Sequence, residues 1–407
     1  MARGDDPLHV FQLPDGRWRG QVTDGFLPSG GPRRRYVHGA TQTEARTAKK
    51  ALLRKIALGE APVRGGTTVK KWVDDWLTIQ ETLVRPRTFD DYTSIVHKWI
   101  VPTIGKRRLT DLTPAHIRTI AAAVLGAGLS TSRASKVHMV TVKMLRDAVR
   151  DGHVVPASVL AVRRPPMAVT DRTAIPIDQT LALLNVAVGD PDGSKWAIAF
   201  LQGFRQGERL GLTWQCVDLD TGVADVSWQL QALPFAHGCG ASPCGAKKAG
   251  LCPARRLRVP PSYEYRQLSG ALCLVRPKTS RGWRMVPLVP WAVSALETWR
   301  AVAPASPHDL VWPRGDGGPM TAAEDSDAWR ALQDRAGVRH PAGRYYVGHE
   351  IRHTTATLLM SLGVDESVRI AILGHSSITV TRGYQHVSVD QARAALGAAA
   401  TRLGLVG

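Results

Sequence analysis

Apolar residues recur with a helical period through much of the chain. Val69, Trp72, Val73, Trp76 and Leu77 fall at i, i+3, i+4, i+7 and i+8, the stripe of an amphipathic helix. Tyr92, Ile95, Val96, Trp99 and Ile100 repeat it, and Pro102 is expected to end that helix. Thr113 followed by Pro114 reads as an N-cap with proline in the first helical position, opening a third helix. Val137, Val140, Met144, Leu145 and Ala148 stripe a fourth. The tryptophans in these stripes read as core anchors. The first 60 or so residues have another pattern. VFQLPDGRWRGQV offers two strand-like arms around Asp15-Gly16, and RRRYVHG adds a strand. Glu44, Ala45, Ala48, Leu52, Leu53 and Ile56 predict a helix over about Thr43–Leu58. PVRGG (62–66) reads as a linker and RRPPM (163–167) as a Pro-rich break. From about residue 170 the chain is helix-rich, with a strand-rich insert between Asp218 and Pro290. The expected architecture is therefore multidomain α+β. It comprises a small sheet-and-helix module (1–61), an all-helical domain (67–165), and a mainly helical domain with a small sheet (170–407).

Charge adds a partner to this picture. The 407 residues carry 53 Lys+Arg against 34 Asp+Glu, a formal net charge of +19. Such an excess favours a polyanion, most often nucleic acid. Arg17 and Arg33, Arg34 and Arg35 in the first module are candidate DNA contacts, as are Arg133 and Lys136 on the polar face of the fourth stripe. The plainer reading of each is a solvated basic surface. No apolar run of about 18 residues exists, so no membrane partner is expected. The start, MARGDDPLHV, lacks the apolar core of a secretory signal, which points to the cytoplasm and its nucleoid. Five cysteines, three of them in one short loop, argue for a reducing compartment.

Candidate chemistry falls in three places. In GFRQGERLGLTW (203–214), Arg205 and Glu208 are three positions apart, neighbours on a helix. In VRPKTSRGWRMVPL (275–288), a basic turn between two short arms predicts a hairpin with Lys278 on its first arm. In HEIRH, His349 and Arg352 share a helix face that runs on to a glycine stop; His375 follows in ILGHSS, and Tyr384 nine positions later. Seen singly, Arg205–Glu208 is an ordinary ion pair and Lys278 a solvated lysine. Taken in order, Arg, Lys, His-x-x-Arg, Leu-Gly-His and Tyr resemble the tyrosine recombinases, in particular phage-type integrases, over essentially the whole chain. One departure is LQGFR, where that family usually has a Thr-Gly-Leu-Arg-like step.

The resemblance implies that Arg205 and Arg352 clamp a phosphate, with Glu208 in support. It implies that Lys278 is the general acid, that His349 and His375 are the two histidines, and that Tyr384 is the nucleophile. It further implies an arm-type DNA-binding module at 1–61, a core-binding domain at 67–165 and a catalytic domain at 170–407. The implied product is a 3′-phosphotyrosyl DNA link, made with no catalytic cofactor. The implied partners are double-stranded DNA at core and arm sites, a homotetramer on DNA, and DNA-bending and directionality factors. Elementary chemistry agrees. Attack on a phosphodiester builds negative charge, which two guanidinium forks can hold bidentately. Tyr ionises near pH 10, so nearby cations and a proton acceptor such as His349 would activate it. The same residues also allow a type IB-like topoisomerase or a non-catalytic DNA-binding regulator. The Ala/Leu-rich tail, AALGAAATRLGLV, reads as a helix that packs either on a neighbouring protomer or on its own domain.

Two further patterns remain. His349, Glu350 and His353 match the His-Glu-x-x-His of zinc proteases, although Arg352 would set a cation beside the metal. The loop at about 235–255, HGCGASPCGAKKAGLCP, holds His237, Cys239, Cys244 and Cys252, a candidate structural zinc set; free thiols in a loose loop are the alternative.

Overall fold

The structure, a computed structural model, describes residues 6–26, 32–57, 66–167, 172–240, 243–277, 283–374 and 388–405. It has two units. One is Met1–Gln80 with Asp91–Ala168, and the other is Glu81–Asp90 with Val169–Gly407.

The first unit begins with three antiparallel strands, β1 (Val10–Gln12), β2 (Trp18–Phe26) and β3 (Pro32–Gly39), in that order. The Asp15-Gly16 turn joins the first two as expected, with Gly16 at φ 82°. Helix α1 (Gln42–Ala57) follows, within a residue of its predicted bounds. Strand alternation sorts the basic run. Arg34, Tyr36 and His38 are exposed on one face, while Arg35 and Val37 are half-buried on the other.

The helices that follow along the chain are α2 (Val69–Leu83), α3 (Pro86–Ile95), α4 (Val101–Ile104), α5 (Pro114–Gly126), α6 (Thr131–Arg150) and α7 (Ala157–Leu160); Glu81–Asp90, from the end of α2 into α3, belongs to the second unit. The tryptophans are anchors: Trp72 and Trp76 are essentially inaccessible. The Trp72 indole donates to the Met144 carbonyl at 2.9 Å, and that of Trp76 to Asp147 at 2.9 Å. Thr113 caps α5 as expected. Pro102 does not end its helix. A π-helical turn over Val96–Ile100 precedes it, and the helical path continues through α4 with Pro102 in its first turn. Proline has no N–H to give the preceding turn and its ring crowds the carbonyl there; one widened turn accommodates both.

In the second unit, α8 (Ile177–Ala187), α9 (Ser194–Gln202) and α10 (Gln206–Leu210) lead into eight short strands. These are β4 (Val217–Asp218), β5 (Val223–Asp225), β6 (Gln229–Ala232), β7 (Phe235–Ala236), β8 (Arg256–Leu257), β9 (Tyr265–Ser269), β10 (Leu272–Val275) and β11 (Met285–Pro287). Helices α11 (Pro290–Val302), α12 (Ala322–Arg335), α13 (Gly348–Ser361), α14 (Glu366–Leu373) and α15 (Val389–Arg402) follow. Every residue of α9 is buried, and α9 contacts α8, α11, α13 and α15. The apolar face of α15 (Ala392, Ala395, Leu396, Ala399) joins the core of its own chain, so the described part of the tail packs in cis.

The expected hairpin over 275–288 is not formed. β10 is the central strand of the sheet β6-β10-β9, so both its edges are taken, whereas β11 belongs to the sheet β11-β5-β4. The segment between β10 and β11 therefore passes from one sheet to another. Cys273, Leu274 and Val275 are all buried, which is why this strand lies at a centre rather than an edge. Lys278 lies outside the described residues. Among the described residues, no helix is long and apolar enough to cross a membrane.

Candidate active site

Two helices of the second unit end on left-handed glycines. Gly203 closes α9 at φ 61° and Gly374 closes α14 at φ 63°. A Cβ on Gly203 would lie 2.5 Å from Leu373 Cδ2, so glycine is required there both for its conformation and for its size. Such ends leave carbonyls without helical partners, at the negative end of each helix dipole. Guanidinium groups occupy them.

Three successive carbonyls at the end of α14 each accept from a different arginine. Arg284 Nε donates to Ile372 O at 2.7 Å, Arg352 donates to Leu373 O, and Arg205 donates to Gly374 O at 2.9 Å. Arg352 also reaches Gly203 O at 2.7 Å, joining the ends of α9 and α14. Residues from α13, the start of α10 and the edge of β11 thus converge on one point. Thr354 and Thr355 fix α13 there. Thr355 Oγ1 donates to Phe200 O at 2.7 Å, and Thr354 Oγ1 accepts from Ile175 N at 2.8 Å.

Glu208 lies between two of these cations. Its Oε1 accepts from Arg205 at 2.6 Å and its Oε2 from Arg284 at 2.9 Å; Oε2 also accepts the Arg205 N–H at 2.9 Å. Arg205 is not inside the helix, as the spacing argument assumed, but is its N-cap. Burial pushes the Glu208 carboxyl up, but the charges and hydrogen bonds of Arg284 and Arg205 outweigh it and hold it at about 2. Arg352 is 2% exposed. Burial, then the repulsion of Arg205 and Arg284, draws it down to about 9, still charged at neutral pH. Its Nε–H has no partner among the described residues. Three guanidiniums against one carboxylate leave about two positive charges, a strong demand for an anion.

His349 opens α13 beside this cluster, its ring 4.8 Å from that of His353 and edge-on to it. Partial burial, then His353, Arg352, Arg172 and Arg205, lowers its pKa, so the ring is neutral at pH 7. His375 and Tyr384 lie outside the described residues; Gly374, one residue before the first, is part of the cluster.

Sequence reasoning missed Arg284. It is 8% exposed and as tightly held as Arg205, yet in RGWRMVP it reads as one more turn cation. The alternation into buried Val286 was the only available signal. The zinc-protease reading fails. Glu350 is fully buried and is held by Arg344 at 2.7 and 2.9 Å and by the Val347 N–H at 2.7 Å, so it is a fixed structural carboxylate with no access to a metal-bound water.

The DNA-contact candidates have different fates. Arg17 is tied to Asp15 at 2.6 Å, and Lys136 to Asp91 at 2.6 Å. Arg34 is exposed, and Arg35 and Arg133 are half-buried; the side chain of Arg33 lies outside the described residues. His237, Cys239, Cys244 and Cys252 do come together, their ligand atoms all within 4.8 Å of one another.

The chain is similar to several known proteins. Residues 266–391 match the Phage integrase family, and residues 68–123 match the Phage integrase N-terminal SAM-like domain. An integrase of Saccharopolyspora erythraea is 27% identical, covering 94% of this chain and 93% of its own. The Tn1549 transposon integrase in complex with transposon right end DNA has the same fold, with a TM-score of 0.59 and 19% identity over 81% of this chain and 98% of that one. So does a lambda integrase tetramer bound to a Holliday junction, with a TM-score of 0.53 and 16% identity over 94% and 99%.

Proposed function

The chain belongs to the tyrosine recombinase family, and from that premise we propose how its residues break and rejoin DNA. The protein is a site-specific DNA recombinase of the kind that integrates mobile elements, an enzyme that needs no cofactor for catalysis. In our reading, Arg205 and Arg352 hold the non-bridging oxygens of the scissile phosphate. Arg284 and Glu208 keep Arg205 in place. Tyr384 attacks phosphorus, and neutral His349 accepts its proton. Lys278 protonates the departing 5′ oxygen, and His375 donates to a phosphate oxygen. The 3′-phosphotyrosyl bond conserves the energy of the broken one, so a 5′ hydroxyl from another strand can reverse the step.

The observation that carries this reading is the three-arginine cluster at the end of α14. It sits one residue before His375 and carries more positive charge than its carboxylate can balance. A non-catalytic DNA-binding regulator would have no use for so costly a site. Residues 1–61 would bind arm sites through the face bearing Arg34, Tyr36 and His38, and 67–165 the core site. Simultaneous arm and core contacts raise effective concentration. Like the lambda integrase seen as a tetramer on a Holliday junction, the protein would work as a tetramer on two duplexes. DNA-bending and directionality factors would assist it in the cytoplasm.

A nicked suicide substrate tests the reading. The unmodified protein should become covalently joined to DNA and survive detergent. Tyr384→Phe should bind DNA equally and give no adduct; an adduct from that variant would refute the assignment.

A further inference from the structure

The insertion between β7 and β8 has almost nothing apolar to hold it. The two strands meet through only two residue pairs, Phe235 with Leu257 and Ala236 with Arg256. Between Gly238 and Arg255 the only large apolar side chain is Leu251, which is 70% exposed. A loop of this length without a core needs a crosslink. Four side chains converge where one would sit. His237 follows β7 directly, Cys239 and Cys244 each precede a glycine of positive φ (60° and 72°), and Cys252 is fully buried. Gly238 lets the two arms close, since a Cβ there would lie 2.0 Å from Ala254 O.

The spacing fits one metal. In a tetrahedral site with Zn–S of ~2.3 Å and Zn–N of ~2.05 Å, sulfurs lie ~3.8 Å apart and nitrogen ~3.6 Å from sulfur. His237 Nδ1 is 3.5 Å from Cys244 Sγ and 4.0 Å from Cys239 Sγ, and all four ligand atoms lie within 4.8 Å of one another. Three thiols and an imidazole suit zinc; hard cations such as magnesium or calcium seek oxygen. All five cysteines are free, so no disulfide competes. The closed tip is also one-sided in charge. From His237 to Arg258 there are five Lys and Arg and no Asp or Glu, and Lys247, Lys248, Arg255 and Arg256 are exposed.

We propose that His237, Cys239, Cys244 and Cys252 bind one zinc ion, and that the metal-closed tip holds Lys247, Lys248, Arg255 and Arg256 against DNA phosphates. Zinc takes up the thiolates as their protons leave to solvent, with no redox step. The metal claim stands independently of the recombinase reading; the phosphate claim rests on it.

The test uses the whole protein purified without chelator. Metal analysis should find about one zinc per chain, and a Cys239→Ser/Cys244→Ser variant should hold essentially none. Replacement by cobalt(II) should give the intense visible bands of a tetrahedral thiolate site. Chelation of the unmodified protein followed by added zinc should restore one equivalent of bound metal, which separates metal loss from misfolding. No zinc in the unmodified protein, zinc retained by the double variant, or a disulfide in place of free thiols would overturn the site. For the phosphate claim, a zinc-loaded variant with Lys247, Lys248, Arg255 and Arg256 all changed to alanine should bind DNA with a shallower salt dependence. Each lost phosphate contact lowers the log–log slope by ~0.9. An unchanged slope overturns that half. A protein that passes both tests yet forms no covalent DNA adduct would instead sink the recombinase reading.

Discussion

Replacing Glu208 by glutamine should be among the most destabilising changes of a single polar atom in the second unit. The carboxylate is 2% exposed and engages Arg205 and Arg284 together. Its pKa is about 2 rather than the usual 4.5, and a gap of that size corresponds to about 3 kcal/mol. Removing one partner from a buried ion pair independently suggests ~3–5 kcal/mol, because the remaining charges stay buried. The sign with pH follows from the depressed pKa. The contribution is complete above about pH 4.5 and is lost as pH falls toward 2. Urea unfolding of the unmodified protein and of Glu208→Gln at pH 7, followed by tryptophan fluorescence, should show the second unit's transition moved by about 3 kcal/mol. The difference should shrink as the pH is lowered through that window. Covalent DNA cleavage by the variant should also fall, because Arg205 loses its anchor. A stability change below ~1 kcal/mol at pH 7, or a difference that does not narrow in acid, would refute the claim that this carboxylate organises the cluster.

Gly203→Ala should cost at least ~1–2 kcal/mol, since it places a Cβ at φ 61° and 2.5 Å from Leu373 Cδ2; thermal unfolding without loss would contradict the required contact. It should also slow cleavage by moving the Gly203 carbonyl that holds Arg352. If neutral His349 accepts the tyrosine proton, cleavage should decline in acid with a midpoint below the ordinary 6.5, because burial and the neighbouring cations lower that pKa. Arg172→Ala removes one of those cations and should shift the decline to higher pH; single-turnover rates against pH would expose a midpoint at or above 6.5, or one insensitive to Arg172.

How much of this was legible beforehand depends on the range of the forces involved. The stripes through Trp72, Trp76 and Leu145 and the Thr113 cap are local patterns, and the helices formed where those patterns lie. Pro102 misled because a local rule was answered by a local remedy, the π turn, which no residue spacing announces. The 275–288 hairpin failed because β10 pairs with adjacent β9 on one edge and remote β6 on the other, while β11 pairs with remote β5. Arg284 was hidden for the same reason, since its partners Glu208 and Ile372 lie 76 and 88 positions away.

That long-range assembly explains how the site is preorganised. The carbonyls of Ile372, Leu373 and Gly374 fix three guanidiniums without neutralising them, since a carbonyl carries only a partial charge. Glu208 cancels one charge, and about two remain. In the proposed mechanism an arriving phosphodiester would not need to order the arginines that receive it. It would meet a field already built, and its attraction to that field would grow as the attacking oxygen adds negative charge to phosphorus. Moving the cluster's balance toward neutrality would relieve the folded protein of repulsion and weaken the transition state together. Glu208 sets the balance of the cluster by holding two cations while leaving the third, Arg352, unpaired by any carboxylate among the described residues.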